Sequence, residues 1–293
     1  MTETVGFVGL GNMGSALASN LVQAGFAVVA HDLLGPKRVP PGATHVAAAA
    51  EVARRSGVVV LSLPDGAASE RVARDILAVA DRLTTHVVDT STIGVRAART
   101  LAALLAEDRV GYVDAPVSGG VSGARARTLA VIYAGTDDAC SHVEPVLAGL
   151  SDRRYRVGDS AGLAQAMKLA NNFLSATALA ATSEAIAFGR SVGLDMGTML
   201  EVLNAASGQS AATSDKFPNH VLNGRYAAGF TNSLMVKDVQ LYLRAVEEYG
   251  LPSSIGAVTV SVWERFAAAE AGADFTRIFP FVEGSARRER PRK

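Results

Sequence analysis

The sequence predicts two parts: an α/β domain built on a parallel sheet, then an all-helical domain. Three observations predict it. Short apolar runs alternate with Ala-rich helical stretches as far as about Gly162. Beyond that point the strand-like runs stop. A glycine cluster sits at the first strand–helix turn, Gly9 to Gly14. Strands alternating with helices need crossover connections, and crossovers give a parallel sheet covered by helices on both faces.

The elements follow in order. Val5–Gly9 is a short apolar run, and a helical stretch leads from it to about Gly25. Ala27–His31 reads as the next strand, followed by Val58–Leu63, Val87–Asp89 and Val110–Asp114, with helical sequence between them. Thr128–Ala134 and Arg154–Val157 add two strands. Leu163–Gly193 is rich in alanine and almost free of breakers, so it reads as one long interdomain helix. Helical patterns recur at Asp195–Ala206, Ser233–Tyr249 and Pro252–Ala271. The expected domains are therefore 1–161 and 162–284. Ser285–Lys293, with Arg287, Arg288, Arg290, Arg292 and Lys293 against Glu289, reads as a solvated basic tail.

Composition narrows the function. The chain has 293 residues, enough for the cores of two domains. Its 28 Lys plus Arg balance 28 Asp plus Glu, which speaks against a nucleic-acid binder. Much of the 49% hydrophobic content is alanine, and no apolar run reaches the roughly 18 residues of a spanning helix. Met1–Val5 shows no basic leader ahead of an apolar stretch, so no secretory signal is expected. The single cysteine, Cys140, fits a reducing cytoplasm. His31, His45, His86, His142 and His220 are scattered without ligand spacing, and no metal is expected.

Gly9-Leu10-Gly11-Asn12-Met13-Gly14 has the G-x-G-x-x-G form and opens a helix directly after a strand. Gly9 permits the tight turn, Gly11 lets backbone approach a pyrophosphate, and Gly14 lets helix and strand pack closely. The helix N-terminus offers amide protons to phosphates. These features define a Rossmann-type dinucleotide site. Asp32 closes the second strand at about the 20-residue separation expected of a carboxylate on the adenosine ribose. Such a carboxylate repels a 2′-phosphate, so NAD is favoured over NADP, although Lys37 and Arg38 follow closely. Leu63, Pro64, Ser91 and Thr92 follow the third and fourth strands, where loops line the cofactor crevice. Thr92 reads either as a cofactor contact or as a helix cap.

Asp114-Ala-Pro-Val-Ser118-Gly119-Gly120 follows the fifth strand. Its glycines can present backbone N–H groups to an anion, with the Ser118 hydroxyl beside them, or simply connect two strands. Lys168 lies near the start of the long helix, and Asn172 shares its face four residues on. Most neighbours are apolar. If the region is buried, desolvation moves the lysine toward the range useful for acid–base work. The alternative is a solvent-facing lysine. Lys237-Asp238 is either a solvated pair or part of a site.

Four blocks together resemble the β-hydroxyacid dehydrogenases: Gly6–Gly14, Asp114–Gly120, Gly162 through Lys168 to Asn172, and Lys237-Asp238. The resemblance runs from Val5 to about Glu283. It implies that Ser118, Gly119 and Gly120 hold a substrate carboxylate and that Lys168 is the general acid–base group. It further implies that Asn172 orients substrate and lysine, and that Lys237, supported by Asp238, lines the site near cofactor and substrate. The implied reaction interconverts a small 3-hydroxy carboxylate and its semialdehyde or keto acid. The implied assembly is a homodimer or homotetramer through the helical domain. Two departures stand out: Arg127 stands where glycine is common, and no proline follows Ser91-Thr92. Arg127 reads as a turn arginine or as a charge added to the substrate loop. Two other functions share the architecture: imine reduction, where Asp or Tyr commonly replaces the lysine, and a non-catalytic NAD(H)-binding assembly module. Val121–Arg127, Phe173–Ala178, Gln209–Thr213 and Phe230–Asn232 are the expected sources of substrate selectivity.

Overall fold

The computed structural model describes residues 4–288, with side chains through residue 284. Its chain divides into two compact units, the first ending at Lys168 and the second starting at Leu169.

The first unit alternates as the sequence suggests. It runs β1 (Thr4–Val8), α1 (Asn12–Gln23), β2 (Ala27–His31), β3 (Thr44–His45), α2 (Ala49–Arg55), β4 (Val58–Leu61), α3 (Gly66–Leu77) and β5 (His86–Asp89). It continues through α4 (Val95–Glu107), β6 (Gly111–Asp114), β7 (Val117–Ser118), α5 (Gly120–Arg125), β8 (Ala130–Ala134), α6 (Asp137–Leu150) and β9 (Arg153–Gly158). The strands form one sheet in the order β3-β2-β1-β4-β5-β6-β8-β7, with β9 on β8. The pairs from β3 to β6 are parallel; β8 runs antiparallel to β6 and β7.

The apolar runs explain this layering. All four residues of β4 are buried. Val58 and Val60 pack with Leu17, Leu21 and Val143 on one face of the sheet. Val59 and Leu61 pack with Val52, Ile76 and Leu105 on the other. A strand covered on both faces must be apolar at every position rather than at every second one. Each such side chain contributes about 1.5–3 kcal/mol by leaving water. β4 stops at Leu61, two residues short of the sequence expectation. Ser62 still donates its amide to Val8, but Pro64 has no N–H with which to extend the ladder. The strand order reverses between β1 and β4, and ligands of such sheets bind outside the carboxyl ends at that point.

The second unit is helical. α7 (Leu163–Ser191) is 29 residues long and enters it from the first. α8 (Met196–Ala205), α9 (Asn232–Glu248), α10 (Ser254–Ala269) and α11 (Ile278–Arg288) follow. Between α8 and α9 lies a π-helix, Ala212–Val221, which the sequence does not announce. Pro218 sits inside it and withholds one amide proton. The core gathers around Trp263, Phe217, Phe266, Phe275 and Phe279, and the buried indole N–H of Trp263 donates to the Ala176 carbonyl at 3.2 Å. Among the described residues no helix is long and apolar enough to cross a membrane. The basic stretch Ser285–Lys293 falls outside the described side chains, although the backbone of α11 reaches Arg288.

Candidate active site

The glycine turn after β1 is shaped by close contact at two positions and open space at a third. Gly9 has φ +95°, and a Cβ there would run into the Ser62 carbonyl oxygen. A Cβ on Gly14 would overlap the Gly9 carbonyl oxygen. A Cβ on Gly11 would meet nothing within 4 Å. Gly11 is the N-cap of α1 and provides no side-chain cap for the first-turn amides. Open backbone and uncapped amides at a helix N-terminus form a cradle that can take a diphosphate. Asp32 braces this turn: its Oδ2 accepts the Leu10 amide at 2.5 Å and its Oδ1 accepts the Leu34 amide at 2.8 Å. Each carboxylate oxygen keeps a further lone pair, enough for a ribose hydroxyl. A cavity beside α1 is lined by Gly11, Asn12, Ser15, Lys37, Arg38 and Arg125, so three cationic residues share it with the glycine turn.

Leu63-Pro64 and Ser91-Thr92 follow β4 and β5, adjacent parallel strands, and are tied together: the Leu63 amide donates to Ser91 Oγ at 2.8 Å. Thr92 does not cap α4. That position belongs to Gly94, which forms no side-chain cap bond. Ser118 ends β7, and Gly119 and Gly120 follow with φ +133° and +70°. A Cβ on Gly119 would press on Leu129 Cα at 3.0 Å, so glycine is required both for space and for backbone angle.

Lys168 is buried, at 7% exposure, and is not the solvent-facing lysine the local sequence allows. Asn172, 6% exposed, lies one turn further along the same helix. In the second unit its Nδ2 donates to Asp238 Oδ2 at 2.6 Å. The Lys237 ammonium lies 3.2 Å from Asp238 Oδ1. Asp238 is 2% exposed, while the Lys237 side chain keeps 27% of its surface in water, so the pair joins a buried carboxylate to a half-buried ammonium and is not a fully solvated one. A buried carboxylate is tolerated when paired and hydrogen-bonded, and here the amide and the ammonium supply both.

Within the first unit, Gln165 is a residue that the sequence does not single out, and it stands with Asp114 and Ser91. Asp114, at the end of β6, and Gln165, in the first turn of α7, are both fully buried, and Ser91 is 5% exposed. Asp114 also stands opposite Asp89 in the β5–β6 register. Its carboxyl is pushed up to about 6, first by burial, with the amides of Gln165 and Gly162 opposing and Asp89 adding to the rise. Arg127 corrects its expectation differently. It has φ +57°, the backbone of a glycine position, yet its guanidinium donates to the Gly149 and Ala148 carbonyls and to Asp152. It closes the C-terminal end of α6 and is neither a free turn arginine nor a charge offered to substrate.

The family model described as the NAD binding domain of 6-phosphogluconate dehydrogenase matches residues 4–158. The one described as the NAD-binding of NADP-dependent 3-hydroxyisobutyrate dehydrogenase matches residues 162–282. The chain is 34% identical over 265 residues to 2-(hydroxymethyl)glutarate dehydrogenase of Eubacterium barkeri, covering 89% of this chain and 88% of the relative. It is 34% identical over 293 residues to the probable 3-hydroxyisobutyrate dehydrogenase of Mycobacterium tuberculosis (strain ATCC 25618 / H37Rv), covering 97% and 99%. The solved structure of Mycobacterium tuberculosis 3-hydroxyisobutyrate dehydrogenase with L-serine matches with a TM-score of 0.86 at 32% identity, over 96% of this chain and 99% of that one. Fold and motifs thus define an NAD(P)-binding oxidoreductase. The chain belongs to the β-hydroxyacid dehydrogenase family.

Proposed function

We propose that this chain is an NAD-dependent dehydrogenase that interconverts a small 3-hydroxy carboxylate and its semialdehyde or keto acid, with Lys168 as general acid–base group. The observation that carries the reading is the burial of Lys168 one helical turn before Asn172.

Bound NAD supplies the site that accepts or returns hydride. Gly9, Leu10, Gly11, Asn12, Met13 and Gly14 would hold its diphosphate and Asp32 its adenosine ribose. Leu63, Pro64 and Thr92 would flank it, with Lys237 near it. Ser118 Oγ and the backbone N–H groups of Gly119 and Gly120 bind the substrate carboxylate. Asn172, fixed by Asp238, orients the substrate oxygen. Lys168 Nζ takes the hydroxyl proton during oxidation and gives it back to the carbonyl oxygen during reduction. The carboxylate of Asp32 supports NAD over NADP, because it repels a 2′-phosphate.

The test is initial-rate oxidation of a panel of small 3-hydroxy acids with NAD⁺ and NADP⁺, followed by Lys168→Ala on the best substrate. Turnover should fall about 10²- to 10⁴-fold, as for loss of a general acid–base group. NADH binding, read by fluorescence, should stay within a factor of about two. Near-full activity of Lys168→Ala overturns the assignment, and a faster rate with NADP⁺ overturns the cofactor preference. Turnover of a cyclic imine with no hydroxy acid activity would favour the imine reductase reading instead.

The assembly reading rests on the helical unit's surface. Leu174, Phe188, Val192, Val202, Ile255 and Val258 are each more than 60% exposed, apolar side chains of the helical unit that an interface could bury. A second copy of the same unit would cover them, as a homodimer or homotetramer requires. Light scattering that returns a monomer mass would overturn this.

A further inference from the structure

The start of α7 is held by an unusual set of bonds. Asp114 Oδ1 accepts the Gly162 amide at 3.1 Å and Oδ2 accepts the Gln165 amide at 3.0 Å. One carboxylate from a strand end thereby takes two of the amides that a helix N-terminus leaves without partners. The Gln165 side chain works in the other direction. Its Oε1 accepts the amides of Ile93 and Gly94 at 2.9 and 3.1 Å, and its Nε2 donates to the Ser91 carbonyl at 3.0 Å. Ser91 in turn accepts the Leu63 amide on Oγ and donates its own amide to Asp89 Oδ1. Gly162, with φ +93°, lets the helix start lie against Val95 of α4, where a Cβ would come within 3.1 Å of the Val95 carbonyl oxygen. A continuous polar chain therefore joins the loops after β4 and β5 to the first turn of α7.

Lys168 lies three residues after Gln165, which on an α-helix is the same face, about 4.5 Å along the axis. Fixing Gln165 at both ends of its amide fixes the rotation and height of the turn that carries Lys168. The geometry points to Gln165 as a positioning residue for Lys168, anchored from below by Asp114. The inference rests on the acid–base reading of Lys168. Proton transfer needs the donor and acceptor within hydrogen-bond reach, and a displacement of about 1 Å can lower a rate about 10²-fold. An amide is the group required here. One end must accept two N–H groups and the other must donate to a carbonyl, which neither an aliphatic side chain nor an ionised carboxylate can do.

Two variants test this. Gln165→Met keeps length and removes every bond of the amide. Gln165→Glu keeps the acceptor end, and it regains a donor only when protonated. For Gln165→Met, kcat should fall about tenfold to a hundredfold with KM changed less than about threefold, and NADH binding should be retained. For Gln165→Glu, the rate relative to wild type should be highest at the acid end of the profile. It should drop as pH rises and the ionised carboxylate faces the Ser91 carbonyl and Asp114. In the Lys168→Ala background Gln165→Met should add no further loss, because two groups that act as one unit are not additive. Wild-type kcat in Gln165→Met overturns the proposal. So does a Gln165→Glu profile parallel to wild type with kcat, NADH binding and melting temperature all reduced together, which is what a purely structural residue gives. If Lys168→Ala itself stays active, the acid–base reading has failed. An inactive Lys168→Ala beside a fully active Gln165→Met overturns only the positioning role.

Discussion

The turn after β1 and the first turn of α7 both lie in the first unit, but they are built by opposite means. The glycine turn is made by close sterics: the Ser62 backbone occupies the space of a side chain at Gly9, and the Gly9 backbone occupies it at Gly14. The start of α7 is made by long-range hydrogen bonds, with Asp114 reaching across 48 and 51 residues and Ser91 reached across 74. Local sterics leave a fixed spacing in the sequence. Long-range bonds leave only a polar residue in an apolar neighbourhood. The two also respond to different perturbations: side-chain volume breaks the first and proton binding disturbs the second.

The largest effect expected from that difference is on stability against pH. The Asp114 carboxyl titrates near 6 in the folded chain, above its ordinary 3.8, because burial disfavours its charge more than two amides favour it. A raised folded value means that the native state binds more protons than the unfolded state between about pH 4 and 6. Folding stability attributable to Asp114 therefore falls as pH rises through that window, by about 3 kcal/mol in all. His86 acts in the opposite sense. Stacked on His142 with ring centroids 3.8 Å apart, it is held below its usual value by burial and then by His142, with Asp138 opposing. Its share of stability is lost as pH falls. Comparing urea unfolding of wild type and Asp114→Asn from pH 4 to 7.5 removes the His86 contribution, which both share. The wild-type advantage should shrink steadily with rising pH. A difference that stays constant across the range would show that Asp114 is not raised, its amides offsetting its burial.

The same contrast explains what could be read in advance. The strand–helix alternation, the glycine turn and the long α7 were all legible, because each is a local pattern with a local physical cause. Lys168 and Asn172 were legible as an i, i+4 pair, but their burial was not, since nothing local distinguishes a buried lysine from an exposed one. Lys237-Asp238 read either as a solvated pair or as part of a site, and only the bond from Asn172, 66 residues away, gives Asp238 a reason to be inside. Gln165 left one trace: an amide in the stretch Leu163-Ala164-Gln165-Ala166-Met167, on the face of Lys168. A polar residue that breaks an apolar helix start is a sign of a buried partner, and that signal could have found it. The two-residue strand β7 and the π-helix at Ala212–Val221 left none, because a strand that short has no period and a wide helical turn has no residue code. Arg127 misled because its backbone position is that of a glycine turn, while the far end of its side chain closes a different helix.

The smaller effect sharpens the steric side of the comparison, using two glycines of one motif. Gly14→Ala puts a methyl group into the Gly9 carbonyl oxygen, so strand and helix must separate. Overpacking of this kind costs about 1–3 kcal/mol, and the variant should melt several degrees below wild type. Gly11→Ala should melt like wild type, because its φ of −60° and ψ of −172° suit alanine and its Cβ meets no atom of the chain. The methyl would instead occupy the open cradle, and NADH affinity should fall by about tenfold or more, equivalent to about 1.4 kcal/mol. Melting curves and fluorescence titrations on the same two preparations separate the outcomes. Gly11→Ala binding NADH as tightly as wild type would mean that the open backbone at Gly11 is not where the diphosphate sits. Gly14→Ala melting at the wild-type temperature would mean that the β1–α1 packing yields more easily than the overlap with Gly9 implies. Loss of binding without loss of stability at Gly11, beside loss of stability at Gly14, is the pattern expected of a cradle held open by its neighbours.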